Sequence, residues 1–192
     1  MGADIHVCLG PWYALRENVG SRVFYLDRAF WGDPDSVSLC WLDGEGRKQF
    51  NWDCTAKRAH PELMPWKSGN AAVVLCDYGM TGELERNMAR PMFSDVTIRR
   101  HPSESTESEP LSSCLNAHQV AIGRHSTAMV EAAINGLAIV CRATGSPVSP
   151  IAGKSCCDIQ HRDRENWINA LAWHNWTLAD IESGDAWQHL NQ

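Results

Sequence analysis

Four short apolar runs, separated by stretches that read as helices, most constrain the fold of this chain. Ala71–Tyr78 (AAVVLCDY) is nearly continuously apolar, the mark of a strand buried on both faces. Val96–Ile98, Gln119–Ile122 and Leu137–Cys141 follow it as further strands. Between them, Gly82–Ala89, Leu111–Ala117 and the segment opening at Ser126 read as short helices. Strand–helix–strand alternation at this spacing predicts βαβ units, a parallel sheet with right-handed crossovers and hence an α/β fold. Ligands of such sheets bind beyond the carboxyl ends of the strands. Tyr78-Gly79, Arg99–Pro102 and Gly123–Thr127 occupy three such ends.

The flanks read differently. Asp4–Leu9 and Arg22–Asp27 are compact strands, and Ser36–Leu42 alternates at period two, as a strand with one wetter face does. Asp43-Gly44-Glu45-Gly46 is a turn from which Arg47–Trp52 can return as a hairpin partner. Residues 53–70, with prolines, a glycine and mixed charge, form a connector, and Ser103–Pro110 is a polar acidic loop. From Asp163 to Leu190 the chain reads as helical, with Trp167, Leu171, His174, Leu178 and Ile181 near one face. Thr177 and Asp180 make a capping box and Gly184 a stop. This organisation predicts a reduced N-terminal lobe at 1–66. A lobe with the parallel sheet and the C-terminal helices follows at 67–192.

Composition narrows the function. A length of 192 residues suits one domain plus a small lobe, and a formal charge of −6 argues against a wholly basic nucleic-acid glove. Nine tryptophans can fill a core, line a cleft or cover an interface with a second copy. Eight cysteines without a CxxC pair exclude the zinc-ribbon and thioredoxin patterns and fit reduced, buried thiols. There is no signal-peptide pattern and no apolar run near the ~20 residues of a membrane span. A reducing cytosol is the expected location, the host cytoplasm if the chain is phage-encoded.

The chemistry concentrates in Gly123-Arg124-His125-Ser126-Thr127 and the helix behind it, and in Val96–Pro102, a strand ending in Arg99, Arg100 and a His101-Pro102 pair. Hydroxyls and free N–H groups at a helix start, beside a positive strand end, favour a phosphate-bearing ligand. Glu131, about one and a half turns into the helix, can reach a ribose. Arg124 and His125 add positive charge, while Arg99 and Arg100 should point to opposite sheet faces. The pattern predicts a nucleotide-sugar site.

The His-Pro pair after a strand, followed by a Ser-Thr helix start and a glutamate, resembles the nucleotide half of GT-B glycosyltransferases. The resemblance is strongest to the capsule-polysaccharide and sialyltransferase-like groups. The tail Trp167–Gly184 is similar to their C-terminal helices. The opening half, with Leu9-Gly10-Pro11-Trp12 and Tyr25-Leu26-Asp27-Arg28, resembles short phage-encoded proteins described as glycosyltransferases. The similarity covers most of the chain, and Arg99–Pro102 and Gly123–Glu131 are its specific parts.

The resemblance implies a Rossmann-like lobe that binds a nucleotide sugar as substrate and transfers the sugar without a metal or other cofactor. It places His101 beside the donor phosphates, where it can stabilise the leaving group. Tyr78, Gly79, Arg99, Arg100, Gly123, Arg124, His125, Ser126, Thr127 and Glu131 would bind the donor. Asp27, ending a strand of the small lobe, is the first candidate for the base that deprotonates the acceptor hydroxyl, ahead of Asp4 and Asp33. Gly10 permits close backbone approach at the first strand end, and Trp12 or Trp31 can stack on a ring. The acceptor classes are a glycan and, for a phage protein, a hydroxymethylated pyrimidine in DNA, to which Arg16, Arg22, Arg28 and Arg47 could lend charge. Two other function classes fit: a non-catalytic nucleotide-binding or sequestering module, and a structural partner completed by another chain.

Overall fold

A computed structural model describes residues 5–9, 22–32, 35–105 and 109–190, with side chains from Val23 onward. Contacts divide the chain into two units, Met1–His60 with Asn166–Gln192, and Pro61–Glu165. The first unit opens with β1 (Ile5–Leu9), β2 (Arg22–Arg28), β3 (Ser36–Leu42) and the short β4 (Lys48–Gln49). β1 runs parallel to β2, while β2–β3 and β3–β4 are antiparallel. The expected hairpin is present. Asp43 closes its turn, its carboxylate accepting the N–H groups of Glu45 and Arg47.

The second unit alternates strand and helix: β5 (Ala71–Leu75), α1 (Glu83–Ala89), β6 (Asp95–Arg99), α2 (Leu111–Ala117), β7 (Val120–Gly123), α3 (Ala128–Ile134) and β8 (Ala138–Cys141). The four strands form one parallel sheet in the order β6-β5-β7-β8. The architecture is therefore mixed α/β with a four-stranded parallel sheet. Residues of β5 lie fully buried on both faces, which is why its sequence shows no alternation.

Strand periodicity sorts the side chains onto two faces. Ala72, Val74, Val120, Ile122, Ala138 and Val140 pack with Ala89 of α1 and with Phe93 in one core cluster. The alternate residues face the other way. A Cβ placed on Gly123 would fall 2.6 Å from the Met129 sulfur of α3, so α3 covers that second face. Thr97, out of phase with Val96 and Ile98, meets the imidazole of His118 just after α2. Beyond β8, Gly153 forms a single parallel bridge with Val140.

The chain then returns to the first unit as α4 (Glu165–Ala172), β9 (Asn175–Thr177), α5 (Leu178–Glu182) and α6 (Asp185–Leu190). Two sequence expectations change here. The C-terminal segment is not continuously helical, and it groups with residues 1–60 rather than with the parallel sheet. The cause is β9, which pairs antiparallel with β3 through Ser36–Ser38. The Asn175 side chain strengthens this, accepting the Phe30 N–H and donating to the Trp31 carbonyl. Trp176 then packs with Phe24, Leu39 and Ala186 in a separate core. The Thr177–Asp180 capping box forms as the spacing predicts, and Gly184 follows with a positive φ.

His174 occupies the turn between α4 and β9 and is buried. Its Nδ1–H donates to the Leu39 carbonyl and its Nε2 accepts the Asn51 N–H, which holds the ring neutral. Burial pushes its pKa down to about 4, despite the opposing Leu39 hydrogen bond. His189 is lowered too, by burial and by the Arg58 charge. The unfolded chain takes up a proton on His174 near pH 6.5 and the folded chain does not until about pH 4. Stability present above the unfolded value is therefore lost as pH falls through this window, by roughly 3 kcal/mol from His174. Urea unfolding as a function of pH should show that slope, and His174→Leu should leave only the smaller contribution of His189.

Gly136, after α3, carries a φ of +82°, and a Cβ there would lie 2.1 Å from the Pro65 carbonyl oxygen. The close approach lets Met64 and Lys67 donate backbone N–H groups to Ile134 and Gly136. Gly136→Ala should cost about 3 kcal/mol in urea unfolding, from backbone strain and overpacking together.

Candidate functional site

The strand order fixes where a ligand can approach. From β5 the chain moves outward to β6, then crosses back past β5 to β7 and continues to β8. The direction reverses between β5 and β7, and their carboxyl ends flank the resulting crevice. Asp77 follows β5 at this point. Its Oδ2 accepts the backbone N–H of His125 at 3.1 Å, joining the ends of β5 and β7. Its Oδ1 is buried without a hydrogen-bond partner among the described residues.

The neighbouring strand end is drawn in by two contacts. The Gly79 N–H donates to Glu104, in the 3₁₀ turn Pro102–Glu104 after β6. The exposed Tyr78 ring meets the His101 imidazole edge-on, with centroids 5.9 Å apart. His101 Nδ1 accepts the Ser103 N–H and lies 2.6 Å from the Ser103 hydroxyl. With Nδ1 so occupied, the neutral ring carries its proton on Nε2. Tyr78, Gly79, His101, Gly123, Arg124 and His125 thus share the carboxyl edge of one sheet, as the sequence predicts.

The other expected residues are placed as follows. Arg99 and Arg100 diverge: Arg99 donates to the Glu109 carbonyl, whereas the charge of Arg100 acts on the Cys76 thiol. The Ser126 hydroxyl accepts the Ala128 N–H, while Thr127, at the N-cap position, makes no capping bond. Glu131 is exposed on the first turn of α3. Gly123 has a packing reason to be glycine, because Met129 and the Leu75 carbonyl occupy the space beside it. Gly10, Asp4, Asp33, Trp12 and Arg16 lie outside the described residues.

Asp27 sits in β2 of the first unit, and its carboxylate is committed. Lys48 Nζ lies 2.9 Å from Oδ2, which also accepts the Tyr25 hydroxyl, and the Arg28 N–H donates to Oδ1. Burial alone raises its pKa, but the Lys48 charge and these hydrogen bonds outweigh it and bring the value below the ordinary carboxylate one. That makes Asp27 a weak base and a strong ion-pair partner.

A cleft of about 430 Å³ adjoins the β7 end. Ile122 and Val140 line it from the sheet, Leu84 and Met88 from α1, and Cys156 from the segment after β8. At its rim Arg124 is paired with Glu85 at 2.8 Å, and Arg142 is exposed. Asp77, Glu85 and Arg142 were not singled out from the sequence. The one available signal was that Asp77 and Arg142 each immediately follow an apolar strand run. The seven cysteines whose side chains are described are free thiols. Burial holds Cys76 up at about 11 and Cys40 at about 12, so neither supplies a thiolate nucleophile at neutral pH.

The first unit holds a second cavity of about 530 Å³, lined by Arg58, Asp180, His189 and the rings of Trp173 and Trp176. Arg58 pairs with Asp180 at 2.9 Å and lies 3.7 Å over Trp176, while His189 stacks on Trp173 at 4.4 Å. Among the described residues, no group of three or more His, Cys, Asp or Glu side chains is arranged to hold a metal ion, and no helix is long and apolar enough to cross a membrane. No protein-family model matches the chain, and no curated protein matches it in sequence.

Asp27→Asn would leave the Lys48 ammonium, whose side chain is only 10% exposed, without its carboxylate. The expected cost is about 2 kcal/mol in urea unfolding. A chain that loses no stability would return Asp27 to the list of catalytic candidates.

Proposed function

We propose that this protein is a GT-B-like glycosyltransferase whose parallel-sheet unit is a Rossmann-like lobe binding a nucleotide-sugar donor. The observation that carries this reading is the convergence of Tyr78, Gly79, His101 and Gly123–His125 on one carboxyl edge, beside the point where the strand order reverses. The same edge carries the residues on which the GT-B resemblance rests.

In this reading His101, with Nδ1 held by Ser103, directs Nε2–H at the leaving phosphate and stabilises its developing charge. Arg100 adds positive potential, Arg124 offers a guanidinium paired with Glu85, and the Ser126 and Thr127 hydroxyls serve as further donors to phosphate oxygens. Glu131 takes a ribose hydroxyl. The acceptor hydroxyl, on a glycan or a modified pyrimidine, displaces the nucleotide directly: its oxygen bonds to the anomeric carbon as the bond from that carbon to the nucleotide phosphate breaks, and its proton passes to solvent. Asp27 ties β2 to β4 across β3 through its Lys48 ion pair rather than serving the chemistry. A second reading, nucleotide binding without transfer, draws on that commitment of Asp27, since it removes the first candidate base.

Thermal unfolding against UDP, GDP, CMP and dTDP and their sugar conjugates tests the donor site. At 100 times the dissociation constant, the matching ligand should add roughly 2.7 kcal/mol of stability. His101→Ala and Glu131→Ala should each remove most of that shift, measured against each variant's own unliganded melt. No shift with any nucleotide overturns the donor site. A shift without release of free nucleotide in the presence of glycan or hydroxymethylated DNA favours the binding-only reading.

A further inference from the structure

The cleft beside α1 contains chemistry that donor binding does not use. Leu84 and Met88 stand four positions apart on α1 and are 64% and 44% exposed. A helix face of this kind normally turns polar groups to solvent. Here Leu84 and Met88 instead form one wall of the 430 Å³ cleft. The floor is equally apolar, because Ile122 and Val140 belong to the face that packs under α1. Cys156 also lines the cleft, and burial raises the pKa of its thiol.

The rim has a net positive charge. Glu85 neutralises Arg124. Arg142 has no such partner: its Nε donates to the Lys154 carbonyl, and no carboxylate among the described residues pairs with its guanidinium. An apolar trough with one uncompensated guanidinium at its mouth suits a molecule with an apolar body and an anionic head. The cleft volume lies within the ~300–1,000 Å³ usual for small-molecule sites.

We propose that this cleft binds a small amphiphilic anion, an alkyl or aryl phosphate or carboxylate. The apolar body lies on Leu84, Met88, Ile122, Val140 and Cys156, and the head is held by Arg142. The cleft borders the carboxyl edge at Gly123, Arg124 and His125, but the residues proposed to hold the amphiphile are not those proposed for sugar transfer.

Isothermal titration of the full chain with octyl phosphate below its micelle concentration tests this, with octanoate, octanol and inorganic phosphate titrated in parallel. Octyl phosphate is expected to bind saturably at one site, at least tenfold more tightly than octanol or inorganic phosphate. Octanoate shows whether a carboxylate head serves as well as a phosphate. Arg142→Gln should reduce octyl phosphate affinity about tenfold, to the level of octanol. Met88→Glu and Leu84→Glu, both at exposed positions, should each abolish binding while the thermal melt stays cooperative. His101→Ala should leave it unchanged. Absence of saturable binding to either anion overturns the proposal. So does binding that survives Met88→Glu and Leu84→Glu, and so does an affinity indifferent to Arg142→Gln, which would mark an apolar pocket without anion recognition. Loss of nucleotide binding in His101→Ala with octyl phosphate retained shows that the amphiphile binds without His101, so failure of the donor reading and failure of this one are distinguishable.

Discussion

The second unit is organised by the double burial of β5. Its residues are shielded on both faces and hydrogen-bonded to β6 on one edge and β7 on the other. A strand that is apolar on both faces gains no register from polarity, since a one-residue slip would exchange one apolar face for another. Polar ties at its start supply the register. The Gln119 side chain accepts the Ala71 N–H while the Gln119 N–H donates to the Ala71 carbonyl. Ser94 donates both its N–H and its hydroxyl to the Asn70 carbonyl. With the start held in place, the far end of the strand presents Asp77, Tyr78 and Gly79 at one defined level.

Everything at the carboxyl edge follows from that level. Asp77 reaches the His125 N–H only because β5 and β7 end together, with Leu75 opposite Gly123. The other Asp77 oxygen is buried without a hydrogen-bond partner among the described residues. The same sheet sets up two different chemistries. Its carboxyl edge gathers imidazoles, hydroxyls and arginines, whereas its α1 face, just below, offers an apolar trough.

The first unit depends on a long-range pairing. β9 comes more than 130 residues after β3 in the chain, yet supplies the edge that buries Trp176 and sets His174 against Leu39 and Asn51. Arg58 adds to this side, stacking over Trp176 while paired to Asp180, which in turn completes the Thr177 capping box. Several of the nine tryptophans are accounted for here, including Trp41, whose indole donates to the Leu190 carbonyl.

Local patterns were legible where one residue type permits few alternatives. The apolar runs at 71–76, 119–122 and 137–141 became β5, β7 and β8, and the Thr177–Asp180 spacing became a capping box. Tyr78, His101 and His125 could be assigned to strand ends because an apolar run must stop where polar residues begin. The sequence alone therefore determined the α/β character, the strands and the edge at which polar chemistry gathers, since burial and periodicity are local properties. Only the tertiary structure decided that residues 166–190 join the first unit, that Lys48 claims the Asp27 carboxylate, that Glu85 neutralises Arg124 and that Leu84 and Met88 wall a cleft. Each of these depends on which distant segments meet. That is set by strand order and by pairings such as β3–β9, which no local spacing encodes.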